Sequence, residues 1–212
     1  EVYASLVVAG DLQESRSRWD SLRRLVLESA LDSPAPFFVA DTNFPYTIGN
    51  EFVTFAHLEG GNPRIAELYG SVPQSSREIL AGADAKVPEG GWVESIDDTA
   101  DGDVPAGFEP VLQDCLGAWI LHVFLEQMAS AAGARDVRLP GESVATELRG
   151  DHLLAFERDD AMVVVWRMRF EPDVAPDDVI DEILAGAPEH FRLREEGGDV
   201  LLFAGDPVDV VD

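Results

Sequence analysis

The sequence predicts an α+β fold, with a helical N-terminal lobe and a central buried helix packed with a small C-terminal antiparallel sheet (ββαββ). Three observations carry this. Apolar residues recur at helical spacing through the first third of the 212 residues. Pro110 to Ala132 is apolar on nearly every face, as in a helix at the centre of a fold. After His152 the period changes to that of strands, with turn residues between the runs. The chain suits a single domain, 1–212, with a helical lobe at 1–81, a long acidic loop at 82–109, and the core helix plus sheet at 110–212.

The elements follow in order. Val2, Tyr3, Leu6 and Val7, then Trp19, Leu22, Leu25, Val26, Ala30 and Leu31, predict one long or two consecutive helices with a break at Gly10. Pro34 and Pro36 stop that helix and open a loop through Asn43. A helix from Pro45 carries Ile48, Phe52, Val53, Phe55 and Ala56 and ends at Gly60-Gly61. Asn62-Pro63 is an N-cap with proline at the first helical position, and it starts a short helix to Tyr69. Ser75 with Glu78 is a capping box for another. From Gly82 to Glu109 the chain is rich in Gly, Pro and Asp; a loop this long inside a domain is usually functional. Its Trp92 reads as a hydrophobic tether or a partner contact. His152 to Arg158 and Met162 to Phe170 read as strands around an Asp159-Asp160 turn. Pro176 opens a helix to Leu184, and Phe191 to Arg194 and Val200 to Phe203 form a second hairpin around Gly197-Gly198.

Composition limits the function. Lys and Arg total 15 against 41 Asp and Glu, a formal net charge of -26, and Lys86 is the only lysine. Apolar residues make up 46%, so the charge sits on a folded body and not on a disordered chain. An acidic shell opposes compaction at low salt and keeps a protein dispersed at high salt, which predicts a salt-adapted, halophilic source. The same balance excludes nucleic acid and an anionic membrane surface as partners, because both need clustered Lys and Arg. No stretch is long and apolar enough to span a membrane, so this chain makes no membrane insertion, and it contains no signal peptide. It begins at Glu1, not at methionine, which predicts removal of an upstream segment. Cys115 is the single cysteine and lies in the apolar run Leu112 to Leu125, where burial as a small hydrophobe is expected.

Candidate chemistry is sparse. Of His57, His122, His152 and His190, only His122 has a carboxylate four residues on. His122 and Glu126 share a helix face at a spacing that can place two metal ligands together. Two ligands do not complete a zinc site, and a buried histidine bonded to a carboxylate has the same pattern. His57 closes a helix, where a cation suits the macrodipole. Gly150-Asp151 before a strand reads as a turn. There is no phosphate loop, no Gly-x-Ser-x-Gly elbow and no His-Glu-x-x-His. No catalytic residue and no cofactor is assigned.

From Asn43 to Phe203 the order of motifs resembles a family of uncharacterised secreted or lipid-anchored proteins, from haloarchaea and Gram-positive bacteria, related to zinc metallopeptidases. The matching pieces are Pro45-Tyr46 with Gly49 and Phe52-Val53, Gly60-Gly61, Tyr69, Pro73-x-Ser75-Ser76 with Leu80, Asp114-x-Leu116-Gly117, Gly150-Asp151 and Val165-Trp166-Arg167. In that family a His-Glu-x-x-His helix and a later Leu-Val-Glu-Gly-Asp-Ala segment resemble a zinc site. Here Val7-Val8-Ala9-Gly10-Asp11-Leu12 carries Ala9 where the glutamate would stand, and a methyl cannot coordinate zinc. Ala81-Gly82 replaces a His-Pro, and Ala118 replaces an acidic residue. The resemblance thus implies a non-catalytic, metallopeptidase-like binding or surface module, a pseudoenzyme outside the cell, with a protein or peptide partner in its groove or long loop. Two readings stay beside it: an active metal-dependent hydrolase using His122, Glu126 and a third residue, and a structural subunit of a larger assembly. The oligomeric state is not legible.

Overall fold

The structure, a computed structural model, describes residues 12–93, 96, 107–133, 144–184 and 191–205. The apolar positions before Leu12, the Gly10 break, Ala9 and His190 lie outside these residues, as does most of the loop between Val93 and Gly107.

Helix α1 runs Leu12–Leu31 and α2 runs Pro36–Asn43. The second corrects the expected loop: Pro36 occupies the first helical turn, where its missing N–H costs nothing and its fixed φ suits the helix. A 3-10 turn, Phe44–Tyr46, leads into α3, Ile48–Gly70. The expected break is present inside α3, where Gly61 leaves helical geometry at φ 63° and ψ -153° and Pro63 restarts the helix beyond it. Helix α4, Ser76–Ala81, is capped as its sequence implies. The Ser75 hydroxyl accepts from the Glu78 N–H at 3.2 Å, and the Glu78 carboxylate accepts from the Gln74 N–H at 2.8 Å.

The next stretch departs from expectation. Strand β1 occupies Glu109–Asp114, where the core helix was expected to start at Pro110, and the helix α5 begins only at Gly117 and ends at Ala131. Pro110 is tolerated because β1 is an edge strand with a register shift between Pro110 and Leu112. Gly117, at φ 73°, turns the chain from strand to helix. Cys115 lies between them and is exposed, which corrects its expected burial.

The remaining elements are a 3-10 turn at Val144–Glu147, β2 at Leu148–Arg158, β3 at Ala161–Phe170, α6 at Pro176–Leu184, β4 at Phe191–Glu196 and β5 at Asp199–Gly205. Both expected hairpins form. Asp159 adopts φ 55° in one turn, and Gly197 and Gly198 adopt 64° and 91° in the other. The sheet is antiparallel throughout, in the order β1-β2-β3-β5-β4. Gly150-Asp151, expected as a turn, lies inside β2.

Helix α5 is buried between helices and sheet, which explains why it is apolar nearly all round. One side presents Leu121, Phe124, Leu125 and Met128 to Trp166, Met168 and Leu202 of the sheet and to Val179 and Ile183 of α6. The other sets Trp119 and Val123 against Leu27, Ala40 and Ile48 of the N-terminal helices. Each large side chain so buried contributes about 2 kcal/mol. Strand alternation sends Leu154, Phe156, Val163, Val165, Leu201 and Phe203 to the opposite sheet face, where they form a separate buried cluster with Phe108. On the β3–β5 pair Asp199, 4% exposed, accepts from Nε and Nη2 of Arg169 at 2.7 and 2.9 Å.

Candidate functional site

The N-terminus of α5 is built from distant pieces. Helix α5 has no side-chain cap from its own N-cap residue, Leu116. Instead Asp151 of β2 reaches across, its carboxylate accepting from the N–H groups of Leu116 at 2.7 Å and Gly117 at 3.0 Å. The same carboxylate accepts from the indole N–H of Trp166 at 2.9 Å. Ser76, at the start of α4, accepts from the Trp119 N–H at 3.1 Å. A Cβ on Gly117 would come within 2.8 Å of the Ser76 hydroxyl, so the close approach of α4 and α5 requires glycine there. The N–H groups of Leu116, Gly117 and Trp119 are therefore satisfied, and three hydrogen bonds hold the Asp151 carboxylate.

These contacts frame a cleft of about 660 Å³ between the α4–α5 corner and the β1–β2 end of the sheet. Cys115 and Gln113 line one side, Ser75, Ser76 and Arg77 another, and Asp151 and His152 a third. Arg77 is 5% exposed. It donates from Nε to the Thr146 carbonyl at 2.8 Å and from Nη2 to Glu171. Trp92 lies half-buried with its ring centre 5.8 Å from the Arg77 guanidinium carbon, and Gly90, at φ 94°, passes close to Arg149. This contact sets the first part of the long loop against Arg77. Burial, with Asp151 and Asp114 adding to it, pushes the Cys115 thiol up.

Three of the sequence motifs singled out above meet here. Ser75-Ser76, Leu116-Gly117 and Gly150-Asp151 all line this cleft, and Trp166 is tied to its floor. Gly49, Phe52, Val53, Tyr69 and Pro73 line a second, apolar groove of about 300 Å³ at the bend of α3. Ala118 lines the Asp151 cleft, whereas Ala81 and Gly82 line a third cleft of about 420 Å³ between α1 and α3.

That third cleft holds Glu51, 8% exposed in the first turn of α3, with the Arg23 Nε 3.3 Å from its carboxylate. Burial pushes the Glu51 carboxyl up to about 7. The Arg23 and Arg16 guanidinium groups pull it down, and Asp20 adds to the rise. The ion pair alone would keep Glu51 charged; the loss of water outweighs it.

His122 and Glu126 are 0% and 2% exposed, and neither lines any of these three clefts. The His122 ring packs beside Trp119 at 5.9 Å between centres. Among the described residues no three His, Cys, Asp or Glu side chains are grouped to hold a metal ion. No described helix is long and apolar enough to cross a membrane. His57 lies within α3, before the Gly61 kink. Sequence reasoning did not single out Arg77, Asp151 as a cap, His152 or Glu51. Their partners come from other elements, and nothing in their local spacing announces them. No family model, curated protein or solved structure matches the chain.

Proposed function

We propose that this protein is a non-catalytic, metallopeptidase-like binding module that takes a peptide in the cleft between the α4–α5 corner and the sheet. One observation carries the reading. Ser76, Gly117, Asp151 and Trp166, spread over the chain, are joined by contacts around a single cleft, while a methyl, Ala118, stands at the position on its wall where the related pattern is acidic. A framework kept without its polar group can hold a ligand but supplies neither a metal ligand nor a base. The cleft has the size of a small-ligand site, and it opens beside β1, an edge strand whose six residues are exposed. An extended peptide can pair with such an edge and place its end in the cleft. A location outside the cell of a salt-adapted organism belongs to the same reading and rests on the acid excess and the motif order.

Two measurements test it. Protein purified from its native source without chelators is expected to carry far less than about one zinc per chain; stoichiometric zinc overturns the non-catalytic reading. The single cysteine lines the cleft and is exposed, so alkylation of Cys115 reports occupancy. A pool of short peptides should slow it, and a pool without effect counts against the peptide site.

A further inference from the structure

We infer that the cleft between α1 and α3 is a second binding site, which takes a primary ammonium group on an apolar stem with Glu51 as its buried counter-ion. It shares no lining residue with the cleft at the N-terminus of α5, so its failure would leave the peptide reading untouched.

Glu51 is 8% exposed and lines this cleft. Its carboxylate accepts no hydrogen bond among the described residues. Its one ionic contact is with Arg23 Nε at 3.3 Å, and that contact is not a hydrogen bond, since the Nε–H is itself left without an acceptor. A buried carboxylate ordinarily collects donors in place of the water it has lost. The two guanidinium groups of the cleft are used elsewhere. Arg23 donates from Nη2 to Asp20, and Arg16 lies over the Phe55 ring, 5.6 Å from its centre.

The charge of the lining selects the ligand. Asp20, Glu51, Glu59 and Asp84 face Arg16 and Arg23, and of the four acids only Asp20 accepts a hydrogen bond among the described residues. The unmet demand is for positively charged donors. No three of these carboxylates are grouped closely enough for a metal ion, so a compact dication does not fit. An ammonium that donates to Glu51 does, and its stem can lie against Phe52 and Phe55 of the same cleft. Ala81, Gly82 and Ala83 add no side chain longer than a methyl, which leaves room for the stem.

The site also carries a proton link. Burial pushes the Glu51 carboxyl up to about 7 against the pull of Arg23 and Arg16, with Asp20 adding to the rise. The remaining charged groups around it are Glu59 on its own helix and Asp84 in the chain after α4. An entering ammonium favours the ionised carboxylate, so binding below pH 7 releases a proton and binding above it does not.

The test is a backbone-amide chemical-shift titration of the isotope-labelled full chain in about 1 M potassium chloride, which screens the exposed acids. The probes are n-butylammonium, N-acetyl-lysine methylamide and tetramethylammonium chlorides. Both primary ammonium probes are expected to shift the amides of Glu51 and Gly82, with Kd falling roughly tenfold per pH unit from about pH 5 to pH 7 and then holding level. Tetramethylammonium, which has no N–H to donate, is expected to bind at least about tenfold more weakly. An affinity for the lysine amide equal to or above that for butylammonium assigns the site to a partner's lysine side chain; a lower one assigns it to a free amine. No shift at these amides, a Kd independent of pH, or equal binding of tetramethylammonium overturns the inference. Glu51→Gln, its fold checked in the same spectra, is expected to lose the pH dependence and to bind at least about tenfold more weakly than the wild type at pH 8. A folded variant that binds as tightly as the wild type there shows that Glu51 is not the counter-ion, and the inference fails.

Discussion

Replacing Glu51 by Gln removes a buried charge while keeping the shape of the side chain and an oxygen for Arg23. The wild-type carboxyl is raised from 4.5 to about 7, chiefly by burial, although the first turn of a helix and the Arg23 guanidinium both favour its charged form. An acid whose folded value is raised binds its proton more tightly in the folded state. Its stability contribution is therefore full below the unfolded value and is lost as pH rises through the folded one. The interval from 4.5 to about 7 corresponds to roughly 3 kcal/mol. Urea unfolding of both proteins in 2 M potassium chloride, from about pH 4 to pH 8.5, measures the difference directly. The Gln variant should gain about 3 kcal/mol on the wild type across that interval, or about 6–12 °C in Tm for a chain of this length, and then hold the gain. A difference that does not change with pH refutes the reasoning. A wild type that gains on the variant as pH rises would show that Glu51 is charged and held by Arg23.

Three further substitutions address the framework. Asp151→Asn puts an amide group against donors that now meet a carboxylate, and it should cost about 2 kcal/mol in denaturant unfolding; a neutral effect would mean that α5 is capped by other groups. Gly117→Ala combines a left-handed backbone with a contact on Ser76 and should cost about 1–3 kcal/mol, which Ser76→Gly should partly restore in the double variant. Asp199→Ala removes two hydrogen bonds from Arg169 and should lower stability by roughly 2 kcal/mol, and a double-mutant cycle with Arg169→Ala should show the two effects to be less than additive.

Elements with a local cause were legible. The Ser75 cap, the Gly61 break with Pro63 after it, the Pro176 start and the two hairpin turns depend on residues within a few positions of one another. Two local cues misled because they are ambiguous. A proline marks the end of one helix or the first turn of the next, and at Pro36 it does the second. The run from Pro110 is equally apolar as a strand or a helix, and periodicity cannot separate them where both are short. Only the left-handed Gly117, which the sequence shows merely as one glycine among many, places the boundary. The exposure of Cys115 follows from the same shift, because it sits at the corner and not within the buried helix.

The acid excess is a property of the sequence alone, since net charge does not depend on how the chain folds. The same is true of the two apolar patterns that make the protein α+β. The tertiary structure decided which of the many carboxylates matter. Asp151 is separated by 35 residues from Leu116, whose N–H it accepts, and Glu171 by 94 from Arg77. In sequence they are indistinguishable from a solvated acid, because a carboxylate acquires a role only when folding removes its water and brings donors to it.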